Sequence, residues 1–189
     1  MQRLLNLTGP TGAGKTAIAE YLEKEYGFAK IISCTTRPRR NDQDKYEFMS
    51  EEEFDRRAKA QEFLETNRYA SATGSYAYGI MKSSISDLLS AGKKPLIVND
   101  RNGARNVKRF YPDAVTILIE PPSREIAIAR VIGPGRNMPL EQALRRLEED
   151  PVVGFKNEDF FDAFVVNETN KMDAAVQKIL DCYNALVEA

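Results

Sequence analysis

The octapeptide GPTGAGKT at positions 9–16 constrains the fold more than any other stretch of this 189-residue chain. It matches G-x-x-x-x-G-K-[ST] and sits between an apolar run, LLNLTG (4–9), and a helical pattern, TAIAEYLEKEYG (16–27). Such a loop works only at that junction. Its glycines let the backbone curl until its N–H groups point inward, and the helix that follows adds the positive end of its dipole. A concavity of this kind suits a polyphosphate, so Gly9, Pro10, Thr11, Gly12, Ala13 and Gly14 are candidate residues for binding a nucleoside triphosphate. Lys15 is placed to reach the β and γ phosphates, and Thr16 to offer its hydroxyl to Mg²⁺. The competing explanation, a glycine-rich turn that happens to contain Lys-Thr, does not account for a complete motif at a strand–helix junction.

Apolar runs alternate with helical patterns along the rest of the chain. AKIISC (29–34), PLIVND (95–100), AVTILIE (114–120) and AFVVNE (163–168) carry the β-branched and apolar residues of buried strands. ARNVKRFY (104–111), SREIAIARVI (123–132) and KMDAAVQKILDCYNALVEA (171–189) read as helices. This alternation predicts an α/β fold, a P-loop core whose central, mainly parallel sheet is flanked by helices. Ile18, Tyr21, Leu22 and Tyr26 share one face of the first helix, and Met172, Val176, Ile179, Leu180 and Tyr183 one face of the last. Both faces are expected to pack on the sheet.

Two stretches break the alternation. Residues 35–80 are polar and contain a helix candidate, EEEFDRRAKA, with Ser50 as its N-cap and Glu53 as its capping-box partner; they read as an inserted flap. GPGRNM (133–138), a Gly/Pro turn between two helical patterns, reads as a short lid.

Composition removes whole classes of function. The chain has no histidine, which excludes an imidazole base, a His-ligated metal and a Ser-His-Asp triad. Cys34 and Cys182 lie far apart without metal-ligand spacing, so both are expected to be packing residues. A net charge of −1 gives no basic excess for a broad nucleic-acid surface. With no run long and apolar enough for a membrane span and no cleavable leader in MQRLLNL, the expectation is a cytoplasmic protein of one domain.

A second substrate must be read away from the P-loop. In TTRPRR (35–40), Arg37 and Arg40 present planar donor forks suited to a phosphate, whereas Arg39 reads as a solvated neighbour. Tyr46 and Tyr78 can add hydroxyl donors without charge. Glu65 could accept two hydrogen bonds from an N–H and an exocyclic amine, the pattern on the Watson–Crick edge of guanine. Asp100, closing PLIVND, is a candidate acidic group near the metal or an ordinary cap at a strand end.

In these residues the chain resembles the guanylate kinase family. The blocks that carry the resemblance are GPTGAGKT (9–16), S-C-TTRPRR (33–40), KYEFMSEEEF (45–54), EFLE (62–65), YAYG (76–79), GKKPLIVNDRNG (92–103), LIEPPS (118–123), RRL (145–147) and VVNE (165–168). The resemblance implies ATP- and Mg²⁺-dependent phosphorylation of GMP by a monomer or homodimer. It divides the chain into a core (1–33 and 81–189), a flap binding the monophosphate (34–80) and a lid (about 133–146). It assigns Arg37, Arg40, Tyr46 and Tyr78 to the acceptor phosphate, and Ser33, Glu65, Gly79 and Asp100 to the rest of the acceptor site. Arg130, Arg136 and Arg146 would join Lys15 and Arg37 in steadying the transferred group, and Asn167 would lie on the ATP side.

Four departures bear on the acceptor. Only NDQDK separates Arg40 from Tyr46; Ile80 stands where the family has a hydroxyl; Val98 replaces its first acidic residue; and the stretch from Glu65 to Tyr78 is longer than usual. Losing one hydroxyl contact removes about 0.5–1.5 kcal/mol. Three activities therefore fit the sequence: a GMP and dGMP kinase, a kinase of the same build acting on another phosphorylated acceptor such as ribose 1,5-bisphosphate, and a non-catalytic binding module. Glu65, Tyr46 and Arg37 favour the first over the second, and the intact P-loop argues against the third.

Overall fold

Strand β1 (Leu5–Thr8) is buried along its whole length: it has a parallel neighbour on each side, and helices cover both faces of its sheet. In this computed structural model, which describes residues 1–40, 42, 44–71, 74–133, 139–149 and 159–188, the chain continues through α1 (Lys15–Tyr26), β2 (Phe28–Lys30), β3 (Cys34–Thr35), β4 (Glu47–Phe48) and α2 (Glu51–Lys59). Then come β5 (Phe63–Ser71), β6 (Gly74–Met81), α3 (Lys82–Ser90), β7 (Lys94–Val98), α4 (Arg101–Phe110) and β8 (Val115–Glu120). Helices α5 (Arg124–Ile132) and α6 (Leu140–Glu149), β9 (Ala163–Val166) and α7 (Met172–Glu188) complete it.

The main sheet has the order β2-β7-β1-β8-β9, and every pairing in it is parallel. Helices cover both faces. Leu5, Leu7, Ile117 and Ile119 pack with Ile18 and Leu22 of α1 and with Val176, Ile179 and Tyr183 of α7. Leu4 and Ile97 pack on the other face with Ile85 of α3 and Val107 of α4. Each such side chain contributes about 1.5–3 kcal/mol on burial. The expected faces of the first and last helices are thus realised, except that Tyr26, at the end of α1, is exposed.

The expected strand AKIISC is two strands in two sheets. Ile31 N–H still bonds to Leu96 O of the main sheet, but Cys34 and Thr35 pair with Gly79 and Tyr78 of a second one. That sheet has the order β4-β3-β6-β5 and its own small core of Cys34, Phe54, Phe63, Ala77 and Met81, with Phe54 and Phe63 stacked at 4.6 Å. Ser50 caps α2 as expected, its hydroxyl accepting from Glu53 N–H at 3.1 Å. The Glu53 carboxylate does not close a capping box; it accepts from Arg56 at 2.7 Å and Arg57 at 2.6 Å, which draw its pKa down to about 2. Cys34 is buried and Cys182 half-buried, and both are free thiols. Among the described residues no helix is long and apolar enough to cross a membrane.

Candidate active site

The P-loop leaves the carboxyl end of β1, in the middle of the main sheet, where open parallel sheets place their ligands. Gly9, Gly12 and Gly14 have φ of 143°, 82° and 90°, values that side-chain-bearing residues rarely adopt. At Gly12 a Cβ would also stand 2.5 Å from Ala127 O of α5, so the loop folds flat against that helix. Lys15 Nζ reaches back across the loop to Gly9 O and, at 3.0 Å, to Pro10 O. Its ammonium is thereby held over the concavity that the backbone encloses.

Two side chains fix this loop from behind. Buried Asn167, just past β9, donates from Nδ2 to Ala13 O at 2.9 Å, and Arg130 of α5 donates to Asn167 O at 2.8 Å and to Gly12 O at 3.4 Å. Burial pulls the Arg130 guanidinium below its ordinary pKa, with Glu168 opposing the shift. Arg130 Nη1 and Asn167 Nδ2 address P-loop backbone, and Arg130 Nη2 the carbonyl of Asn167. Asn167→Ala would leave a buried carbonyl without its donor, at a cost of about 1–3 kcal/mol, and would loosen the loop. The expected result is a lower melting temperature together with a several-fold higher KM for ATP, measurable by thermal denaturation and steady-state kinetics.

In front of the P-loop lies a cleft of about 1000 Å³, with Thr11 on its wall. The second sheet supplies the opposite wall. Glu65, Asn67 and Tyr69 of β5 alternate along the strand and all line the cleft, as do Tyr76, Tyr78 and Ile80 of β6, which pair with them across the hairpin. Ser33, Arg37, Arg40 and Tyr46 line it from the neighbouring loop, and Val98 and Asp100 from the carboxyl end of β7. Gly79 is required here: a Cβ would press on the Phe63 ring at 2.8 Å and on Glu65 O at 3.2 Å. The cleft thus gathers Ser33, Arg37, Arg40, Tyr46, Glu65, Tyr78, Gly79 and Asp100, the whole acceptor set expected from sequence.

Arg37 is only 5% exposed and forms an ion pair with Asp44, while the Tyr46 and Tyr78 rings meet edge-on at 5.8 Å beside it. Glu65 sits over the first turn of α4, its Oε2 2.7 Å from where a Gly103 Cβ would be, so only glycine admits it. Burial raises the Glu65 pKa and the nearby Asp100 raises it further, while a hydrogen bond from the Asn106 side chain opposes both. Asp100 caps α4, its Oδ1 accepting from Gly103 N–H at 2.9 Å, and it also lines the cleft.

Ile80 is buried in the core against Leu64 and Ile85, so the position the family gives to a hydroxyl is here part of the hydrophobic packing. Tyr69, Tyr76, Arg101, Arg105, Gln142 and Arg145 also line the cleft but were not among the expected site residues. The alternation of the hairpin was the signal that could have found the two tyrosines. Arg136 lies outside the described residues, as does the side chain of Arg146, whose backbone belongs to α6.

No grouping of three or more Cys, Asp or Glu able to hold a metal occurs among the described residues. The donors at hand, the Thr16 hydroxyl at the start of α1 and the Asp100 carboxylate, suit a Mg²⁺ that is held chiefly by phosphates and water.

Comparison with known proteins agrees with this geometry. The family model described as guanylate kinase matches residues 1–185. A guanylate kinase of Symbiobacterium thermophilum is 40% identical over 152 residues, covering 78% of this chain and 70% of its own length. One from Gloeobacter violaceus is 35% identical over 185 residues, covering 95% and 85% respectively. In three dimensions the chain is similar to the guanylate kinase of Anaplasma phagocytophilum, with a TM-score of 0.62 at 24% identity over 97% of this chain and 85% of that one, an agreement of fold. With the P-loop, the facing cleft and a match along nearly the whole length, the chain belongs to the guanylate kinase family of P-loop nucleoside monophosphate kinases.

Proposed function

We propose that the chain transfers the γ-phosphoryl group of ATP to a phosphate oxygen of GMP, or of dGMP, giving ADP and the corresponding diphosphate. The observation that carries this reading is the single cleft that has the P-loop residue Thr11 on one wall and Glu65, Arg37 and Arg40 on the other. The acceptor's own phosphate oxygen is the nucleophile, so the absence of histidine is no obstacle: catalysis is positioning and charge neutralisation. Lys15 and the P-loop N–H groups hold the β and γ phosphates, and Arg130 and Asn167 keep that loop in shape. The Thr16 hydroxyl and the Asp100 carboxylate would hold Mg²⁺ on the protein side, and the ion would supply positive charge against the phosphates.

On the other wall, Arg37 and Arg40 grip the acceptor phosphate with the hydroxyls of Tyr46 and Tyr78, while Glu65 and Ser33 address the guanine edge. The second sheet serves as the flap (34–80) over a core formed by 1–33 and 81–189, and 133–146 as a lid; closure of both excludes water, which would otherwise compete for the phosphoryl group. Arg136 and Arg146 belong to the lid in this scheme.

An ADP-release assay with GMP, dGMP, AMP, UMP, CMP and ribose 1,5-bisphosphate tests the acceptor. GMP is expected to give the highest kcat/KM of the six, with dGMP following. A preference for AMP or for the sugar bisphosphate would overturn the guanine assignment, and no acceptor-dependent release at all would overturn the kinase reading.

A further inference from the structure

Asp44 stands where an acceptor phosphate is expected to bind. Each of its carboxylate oxygens lies 2.9 Å from Arg37 Nη2, and Oδ2 also accepts from the backbone N–H of Arg40 at 2.9 Å. Arg37 Nη1 donates to Pro38 O at 3.0 Å, the Tyr46 ring lies 5.4 Å from the guanidinium carbon, and Tyr78 hydrogen-bonds the same guanidinium. A carboxylate of the chain itself has thus taken up the Arg37 head with its two attendant tyrosines. The pair is enclosed, with the two side chains 6% and 14% exposed, and Arg37 and the Arg40 N–H hold the Asp44 carboxyl below its usual pKa.

A guanidinium has two edges that can grip an oxyanion with paired donors, Nη1/Nη2 and Nε/Nη2, and Nη2 belongs to both. A phosphate taking either edge must set an oxygen on the nitrogen that already holds both Asp44 oxygens, beside a like charge in an enclosed site. A carboxylate whose task was only to brace Arg37 would hold the outer donors and leave Nη2 to the ligand. The short connection explains the placement: three residues separate Arg40 from Asp44, and Tyr46 must still reach the cleft, so Asp44 folds back onto the Arg37–Arg40 turn.

We infer that Asp44 is an internal competitor of the acceptor phosphate and sets acceptor affinity, because it must leave Arg37 before a phosphomonoester dianion can take the two-pronged site. The inference rests on the assignment of Arg37 and Arg40 to the acceptor phosphate. Its test is calorimetric titration of the full chain and of Asp44→Asn and Asp44→Ser variants with GMP, with inorganic phosphate and, separately, with ATP.

Removal of one charge-assisted competitor is expected to tighten GMP and inorganic phosphate by about tenfold in both variants. The Kd for ATP stays unchanged, and in turnover KM for the acceptor falls while kcat changes less. GMP affinity that is unchanged or weaker in variants with a wild-type circular dichroism spectrum would overturn the inference and make Asp44 a brace for Arg37. If the wild-type chain binds no GMP, yet both variants bind inorganic phosphate more tightly than it does, the guanine assignment fails and the role of Asp44 stands.

Discussion

Lys15→Ala is expected to lower kcat for phosphoryl transfer by about a hundred- to a thousandfold, the scale of losing one pre-positioned donor to a developing charge. The ammonium sits over the P-loop with its hydrogen bonds directed at Gly9 O and Pro10 O, poised to exchange those carbonyls for phosphate oxygens. Nothing else in the loop carries a positive side chain: its remaining residues are Gly9, Pro10, Thr11, Gly12, Ala13, Gly14 and Thr16. Because the residues proposed to hold the acceptor lie on the opposite wall, its Kd should change little. Undiminished turnover in this variant would contradict the assignment of the P-loop to the transferred phosphate.

Glu65→Gln is expected to separate function from stability. The carboxylate must be ionised to accept both guanine donors, and an amide offers only one acceptor oxygen at that place, so kcat/KM for GMP should fall by about ten- to a hundredfold, the cost of an unmet polar partner in a buried site. The fold should not suffer. Burial, and then Asp100, raise the Glu65 pKa above its ordinary value, so the folded state takes up a proton more readily than the unfolded chain does.

Glu65 therefore costs stability at neutral pH, and the cost is relieved as pH falls through the raised pKa. The neutral glutamine escapes it, and at pH 7 the variant should melt at the same temperature as the wild type or higher. The same shift sets a pH dependence for the wild type, whose KM for GMP should begin to rise on acidification at a higher pH than an ordinary glutamate would give. A Glu65→Gln protein that is strongly destabilised while keeping its acceptor affinity would reverse both expectations.

The parts of the molecule legible in the sequence are those in which chemistry leaves the residues little choice. The P-loop needs glycines at fixed places because the backbone itself is the ligand, and Gly9, Gly12 and Gly14 do adopt positive φ. The core strands read as apolar runs because a parallel sheet covered on both faces buries every side chain of β1 and β8. The hairpin β5–β6 escaped notice for the opposite reason. Its alternate residues face a cleft, so Glu65, Asn67 and Tyr69 make one side polar where a packed strand would show valine or isoleucine. Helix α3 was missed because only Ile85 of its nine residues is buried, too little to mark a period.

The residues that line the cleft opposite the P-loop were legible as a set through family resemblance, but their partners were not. The pairing of Arg37 with Asp44 depends on how a short loop folds back, and the hydrogen bond from Asn106 to Glu65 on how α4 lies against β5. Arg130 was expected at the transferred phosphoryl group, and the bonds it makes in this structure tie the P-loop to Asn167. That contact joins helix α5 to the residue after β9, and no local pattern encodes it.

The cleft is expected to join the γ-phosphate of ATP to the phosphate of GMP. Incubating the chain with ATP labelled at the γ position, Mg²⁺ and GMP, and then separating the nucleotides, tests it directly. The label is expected in the β-phosphate of GDP, in an amount equal to the ADP formed. Label released only as inorganic phosphate, or no GDP at GMP concentrations that saturate binding, would contradict it.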